Sequence, residues 1–159
     1  MATLEIDARL IDVEVEATRQ AYLEVAKSGC EACGCSNCAN YLQARENNFP
    51  EDFRQLLTDF GIDWRKEVDA YSLTGTVEDG ECLYEAEFHG FGHMVPAGSP
   101  DIRRGELRLQ IGDYRGSPTL LNEDDKPFSH RKITIVLRFS LPWVVSSPPQ
   151  PRLQISLDN

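Results

Sequence analysis

From Leu4 to Leu10 the apolar residues Leu4, Ile6, Ala8 and Leu10 fall on even positions, with Glu5, Asp7 and Arg9 between them. From Ile11 the parity reverses, and Ile11, Val13, Val15, Ala17, Ala21, Leu23 and Val25 take the odd positions. Period-two alternation predicts half-buried strands. A one-residue change of parity predicts a bulge or tight bend between Leu10 and Ile11, because a step of one exchanges the two faces. A helix over Ala17–Lys27 is the competing reading, since those residues are good helix formers. The odd-position run lacks the i, i+3, i+4 spacing of an amphipathic helix, so strand is the expectation.

Ala39–Glu46 reads as a short helix, and the next helix is better marked. Pro50 suits a first turn, and Glu51 and Asp52 complement the positive end of the helix dipole. Phe53, Leu56, Leu57 and Phe60 then form one apolar stripe, Gly61 is a left-handed cap, and Ile62 is placed to touch Leu57. Asp79-Gly80 is a strong type I′ hairpin signal. With those two residues as the loop, Val77 faces Cys82, Gly75 faces Tyr84, Leu73 faces Ala86 and Tyr71 faces Phe88, which makes Cys82 a core residue. Met94–Gly105 reads as a loop, Leu107–Ile111 as a short strand and Gly112–Arg131 as irregular. Ile133, Ile135, Leu137, Phe139 and Leu141 give the cleanest strand pattern. A turn at Pro148, Pro149 and Pro151 precedes a last strand through Leu153, Ile155 and Leu157. The expected fold is α+β, a mostly antiparallel sheet of six or seven strands. A Cys-rich knuckle and two helices are inserted after the N-terminal strands. Residues 1–159 form a single domain on this reading, with the knuckle and helical insertion at 30–63.

Composition narrows the function classes. The chain has 159 residues, 41% of them hydrophobic, and a formal net charge of −10. That length suits one domain with a real core. No apolar run approaches the roughly 18 to 20 residues of a membrane span, and Glu5, Asp7 and Arg9 break up the start as a signal peptide. The expectation is a cytoplasmic protein that does not engage membranes. The excess of acids argues against nucleic acid, whose phosphates are bound by Lys and Arg.

Four of the five cysteines lie between Cys30 and Cys38, as two Cys-x-x-Cys pairs separated by Gly34. In a reducing compartment this density points to metal rather than disulfides. Crowded thiolates repel and raise one another's pKa values, whereas a divalent cation coordinates them in their deprotonated forms. Cys30, Cys33, Cys35 and Cys38 are therefore the candidate ligands, with structural zinc the expected metal. A single glycine between Cys33 and Cys35 strains a four-sulfur wrap. Three ligands, Cys33, Cys35 and Cys38, with a fourth from elsewhere are an equal option, Cys30 being the near candidate and a histidine the distant one. The spacing matches neither common ferredoxin run.

His89 and His93 have i, i+4 spacing, but Gly90 and Gly92 argue against a helix, and on a strand they are roughly 13 Å apart. His89 is read as a satisfied sheet histidine; His93 and His130 are weaker candidates still. The chain has no Gly-x-Ser-x-Gly elbow, phosphate loop or dinucleotide fingerprint, so no catalytic residue is assigned. Glu81, Glu85 and Glu87 read as one solvated hairpin face. Arg103, Arg104, Arg108 and Arg115 form a locally basic stretch that pairs with surface acids or receives an anion.

The run Cys33-x-Cys35-x2-Cys38-x-Asn40-Tyr41, with Phe49-Pro50, Leu56-Leu57, Gly61-Ile62-Asp63 and Lys66-Glu67, resembles a family of small bacterial proteins with no assigned function. The resemblance covers about residues 30 to 92. The family's pattern centres on three cysteines, so Cys30 stands outside it. It implies a bacterial cytosolic origin and a shared motif, without an activity. Taken together, the expected protein is a non-enzymatic domain with a zinc-binding knuckle that presents a surface to a protein partner. The competing readings are a thiol redox sensor or oxidoreductase using one Cys-x-x-Cys pair, and an acidic inhibitor or immunity-type protein.

Overall fold

The computed structural model describes residues 2–6, 9–95, 101–104, 107–113 and 132–151. The architecture is α+β, and every described strand pairing is antiparallel. Two short strands, β1 (Ala2–Ile6) and β2 (Arg9–Val13), lead into four helices: α1 (Val15–Glu24), α2 (Gly29–Cys33), α3 (Ser36–Asn48) and α4 (Glu51–Asp59). The remaining strands are β3 (Asp69–Ser72), β4 (Glu81–Val95), β5 (Asp101–Arg104), β6 (Leu107–Asp113) and β7 (Lys132–Pro142). The sheet order is β1-β2-β4-β7-β6-β5, with β3 also on β4.

The reversal of parity near Leu10 comes from neither a bulge nor a tight bend between Leu10 and Ile11, where β2 is continuous. β1 and β2 form a hairpin in which Leu4 faces Ile11 and Ala2 faces Val13. An even residue therefore pairs with an odd one, and both belong to the same face. The strand expected to continue to Val25 is instead α1, the competing helical reading. Its buried stripe is Thr18, Ala21 and Tyr22, while Leu23 is 69% exposed. The stripe is hard to see because Thr18 and Tyr22 do not register as apolar residues.

Those two side chains explain why a helix lies there. β3 covers the edge of β4 as far as Glu87, and β2 takes over at Gly92. The backbone groups between them would be orphaned. The Tyr22 hydroxyl donates to the His89 carbonyl (2.7 Å) and accepts from the His89 N–H (3.2 Å). Thr18 Oγ1 accepts from the Phe91 N–H (3.0 Å), and the Glu14 N–H donates to the Phe91 carbonyl (2.9 Å). In this way α1 completes the gap with side chains.

Helix α4 matches its signals. Phe53, Leu57 and Phe60 are buried, Leu56 packs against the core, Gly61 has φ +79°, and the Ile62 N–H reaches the Leu57 carbonyl at 2.9 Å. The core lies between the helices and one sheet face, lined by Ile11, Val13, Cys82, Tyr84, Ala86, Phe88 and alternate β7 residues from Ile133 to Leu141. Phe49, Phe53 and Tyr41 pack around Phe139 with ring centroids 4.9–6.4 Å apart.

Four further expectations are corrected. The helices number four among the described residues rather than two: α1 stands where strand was the preferred expectation, and α2 lies inside the expected cysteine knuckle. The Asp79-Gly80 turn forms, with φ of 52° and 77° and Glu78 bridged to Glu81, but the pairing then slips. Ser72 rather than Gly75 faces Tyr84, and Ala70 rather than Leu73 faces Ala86. The Ser72 hydroxyl accepts from the Gly75 N–H at 2.8 Å, folding the chain out of the ladder after Leu73, whose N–H still reaches the Leu83 carbonyl at 2.9 Å. A slip of odd length exchanges faces, so Ala70 and Ser72 point inward and Tyr71 outward. Cys82 is in the core as expected, with Ser72 Oγ rather than Val77 against its sulfur at 3.2 Å. Finally, the segment expected as a Met94–Gly105 loop contains the end of β4 and all of β5. Residues 114–131 and the strand expected at Leu153–Leu157 lie outside the described residues.

Candidate metal centre

Helix α2 begins on a reciprocal cap. The Ser28 hydroxyl accepts from the Glu31 N–H, and the Glu31 carboxylate accepts from the Ser28 N–H. At Gly29 the chain passes so close to Val68 that a Cβ would lie 2.2 Å from the Val68 carbonyl oxygen, so a side chain does not fit. The helix ends at Gly34 in the left-handed conformation, φ +76°, a geometry glycine adopts without penalty. This reversal makes Cys35 the N-cap of α3, where its sulfur accepts from the Cys38 N–H at 3.4 Å. A cysteine thus fills a position usually held by Ser, Asp or Asn.

The turn brings Cys33, Cys35 and Cys38 together, with the three Sγ atoms within 4.8 Å of one another. Cys33 is exposed, Cys35 half-buried and Cys38 buried, so the group opens to solvent on one side. Three closely placed sulfurs of this kind can hold a metal ion. Cys30 is not part of the triangle. It is buried on the inner side, where its thiol donates to the Ala70 carbonyl at 3.5 Å, and Cys38 approaches the same carbonyl at 3.9 Å. The hydrogen bond between Cys30 and Cys38, and then burial, push the Cys38 thiol far above its ordinary pKa. A redox nucleophile needs the opposite shift. All five cysteines are free.

The histidines lie elsewhere. His89 Nε2 is 2.9 Å from Glu87 Oε1, and His93 Nε2 is 3.5 Å from Asp12 Oδ2. Among the described residues no histidine joins the cysteine group, and His130 lies outside them. Glu85 meets the Arg138 guanidinium at 2.8 Å and accepts from the Tyr71 hydroxyl, so with Glu87 on His89 two of the three acids of this face are paired. Arg103 and Arg104 fall on β5 and Arg108 on β6 opposite Arg103; Arg115 is outside the described residues. Two clefts of about 260 and 230 Å³ flank α4, lined in part by Leu4, Asp52 and Asp59, and by Arg19, Tyr22 and Asp63; neither holds a cysteine or histidine.

Three residues that support the site carry no assigned role in the sequence reading, although Asn40 and Glu67 fall within the resemblance. Glu67 is fully buried and ion-paired with Arg45. Its carboxylate also accepts from the Cys30 N–H (3.2 Å), and its carbonyl accepts from the Gly29 N–H (3.0 Å). One acid therefore ties the start of α2 to the last turn of α3. Asn40, also fully buried, donates to the Tyr84 hydroxyl and the Pro142 carbonyl (both 3.2 Å) and accepts from the Val144 N–H (2.7 Å). Its place in the motif was visible; its partners, over forty residues away, were not.

No family model, curated protein or solved structure matches the chain. Among the described residues no helix is long and apolar enough to cross a membrane.

Proposed function

We propose that the chain is a non-enzymatic domain whose cysteine knuckle holds a structural zinc ion and thereby presents a fixed corner to a protein partner. On this reading it belongs with the small bacterial proteins its motif resembles. The observation that carries the proposal is the mutual approach of Cys33, Cys35 and Cys38 within 4.8 Å. Zn–S bonds of about 2.3 Å at tetrahedral angles separate sulfurs by about 3.8 Å, so the group has to close by at most about 1 Å. Thiolates are soft donors and suit zinc among the common divalent ions. Cys30, beside Cys38, is the near sulfur for the fourth position, reached by giving up its bond to Ala70.

The test is metal content by mass spectrometry on untagged protein kept reduced. About one zinc per chain is expected, with loss of binding in Cys33→Ser, Cys35→Ser and Cys38→Ser. Less than about a tenth of an equivalent in the unmodified protein overturns the proposal. Cys30→Ser reports whether the fourth position belongs to the chain.

A further inference from the structure

Residues 145–151 have little to hold them by burial. Five of them are exposed and two half-buried. Nor can the stretch from residue 148 to residue 151 join a sheet, because Pro148, Pro149 and Pro151 lack an N–H and Gln150 is left as its one backbone donor. That donor and the neighbouring carbonyls are taken by two side chains of α3. The Gln150 N–H donates to Asn37 Oδ1 (2.9 Å), Asn37 Nδ2 donates back to the Gln150 carbonyl (3.0 Å), and the Ser36 hydroxyl donates to the Pro148 carbonyl (2.9 Å). Upstream, the Trp143 indole N–H donates to the Ser147 carbonyl (3.1 Å).

Ser36 and Asn37 are the two residues between Cys35 and Cys38. They form the first turn of α3, the turn capped by Cys35 Sγ through the Cys38 N–H. The inner side of this turn is tied to the sheet, with the Tyr84 hydroxyl donating to the Asn37 carbonyl (2.8 Å). Its outer side depends on sulfur. A neutral thiol is a weak acceptor, whereas a metal-bound thiolate is charged and caps a helix start far better. A cation bridging Cys35 and Cys38 therefore also fixes the two side chains lying between them.

We infer that metal occupancy of the cysteine group controls the docking of the proline-rich segment 147–151 on α3, so that loss of the ion frees an extended Pro-rich peptide beside the site. This rests on the metal-binding reading above. The freed segment keeps its proline-imposed extended form, the shape that aromatic-lined peptide grooves accept.

The test uses the full ¹⁵N-labelled chain, reduced, with zinc added or removed by a chelator, and follows exchange of the Gln150 amide and the Trp143 indole N–H by NMR. Zinc is expected to slow Gln150 exchange by about tenfold or more, reversibly. Asn37→Ala is expected to bind zinc with unchanged stoichiometry while its Gln150 amide exchanges fast in both states. If zinc binds at one per chain and Gln150 exchange does not respond, the coupling is wrong and the metal site stands. Zinc-dependent protection that persists in Asn37→Ala also overturns the coupling. If no zinc binds, the metal site and the coupling fail together.

Discussion

Along β4 and β7 eleven residue pairs face one another, and the inward members, from Cys82 and Leu141 to Phe88 and Ile135, are apolar and almost without solvent contact. The α2–α3 corner is built from different groups. Its buried members include Ser28, Asn40, Arg45 and Glu67, each hydrogen-bonded to a named partner, and its tip carries the exposed Cys33. Apolar burial has no direction and tolerates small shifts. Polar partners at 2.7–3.5 Å tolerate few. The sheet can therefore form by burial alone, whereas the corner is defined by directional bonds and holds a group of thiols that repel one another once ionised. On the proposed reading, any dependence on metal is confined to the corner and leaves the sheet independent of it.

The largest test of that separation is Phe139→Ala. Phe139 is 3% exposed and packed by Tyr41, Phe49 and Phe53. Its truncation is expected to cost about 3–5 kcal/mol in denaturant titrations, with the same loss whether or not zinc is present. A cost that depends on zinc would mean that core and corner are one cooperative unit.

Next in size is Glu67→Ala, which leaves the Arg45 guanidinium buried without its acid and is expected to cost about 3 kcal/mol. The double replacement Arg45→Met with Glu67→Leu is expected to recover most of that loss. A double variant as unstable as the single one would show that the bond from the Cys30 N–H to the Glu67 carboxylate, rather than the ion pair, is what the corner needs.

The smallest effect is a pH slope from the core. Burial raises the pKa of Tyr22 and of Tyr41 well above the ordinary tyrosine value. The unfolded chain loses these protons near pH 10 while the folded chain keeps them, so their contribution is complete below about pH 10 and is lost as pH rises further. Each tyrosine adds a slope of at most about 1.4 kcal/mol per pH unit. Urea midpoints of the protein between pH 9 and 11 are expected to fall. A flat profile would contradict the burial of these hydroxyls.

The α4 stripe, the β7 alternation and the Asp79-Gly80 turn could all be read from the sequence because each depends on neighbours within about ten residues. The grouping of cysteines was equally plain, and of the two ligand sets that the spacing left open the three that come together are Cys33, Cys35 and Cys38. What could not be read depended on distant partners. The stripe of α1 is built on Thr18 and Tyr22, whose hydroxyls match backbone groups of β4 some seventy residues on. The β3 register was changed by a serine bonding three residues ahead, a local competition that apolar pairing does not reveal.

By itself the sequence determined where apolar faces lie, where the chain must turn and that sulfur is concentrated in one segment, since spacing along a chain fixes which residues share a face. Tertiary structure alone decided which thiols meet. Cys30 was drawn inward by the Ala70 carbonyl and the Glu67 carboxylate, and Cys33 was turned outward by Gly34. Those choices depend on hydrogen-bonding groups that arrive from other parts of the chain, and their positions exist only once the sheet has formed.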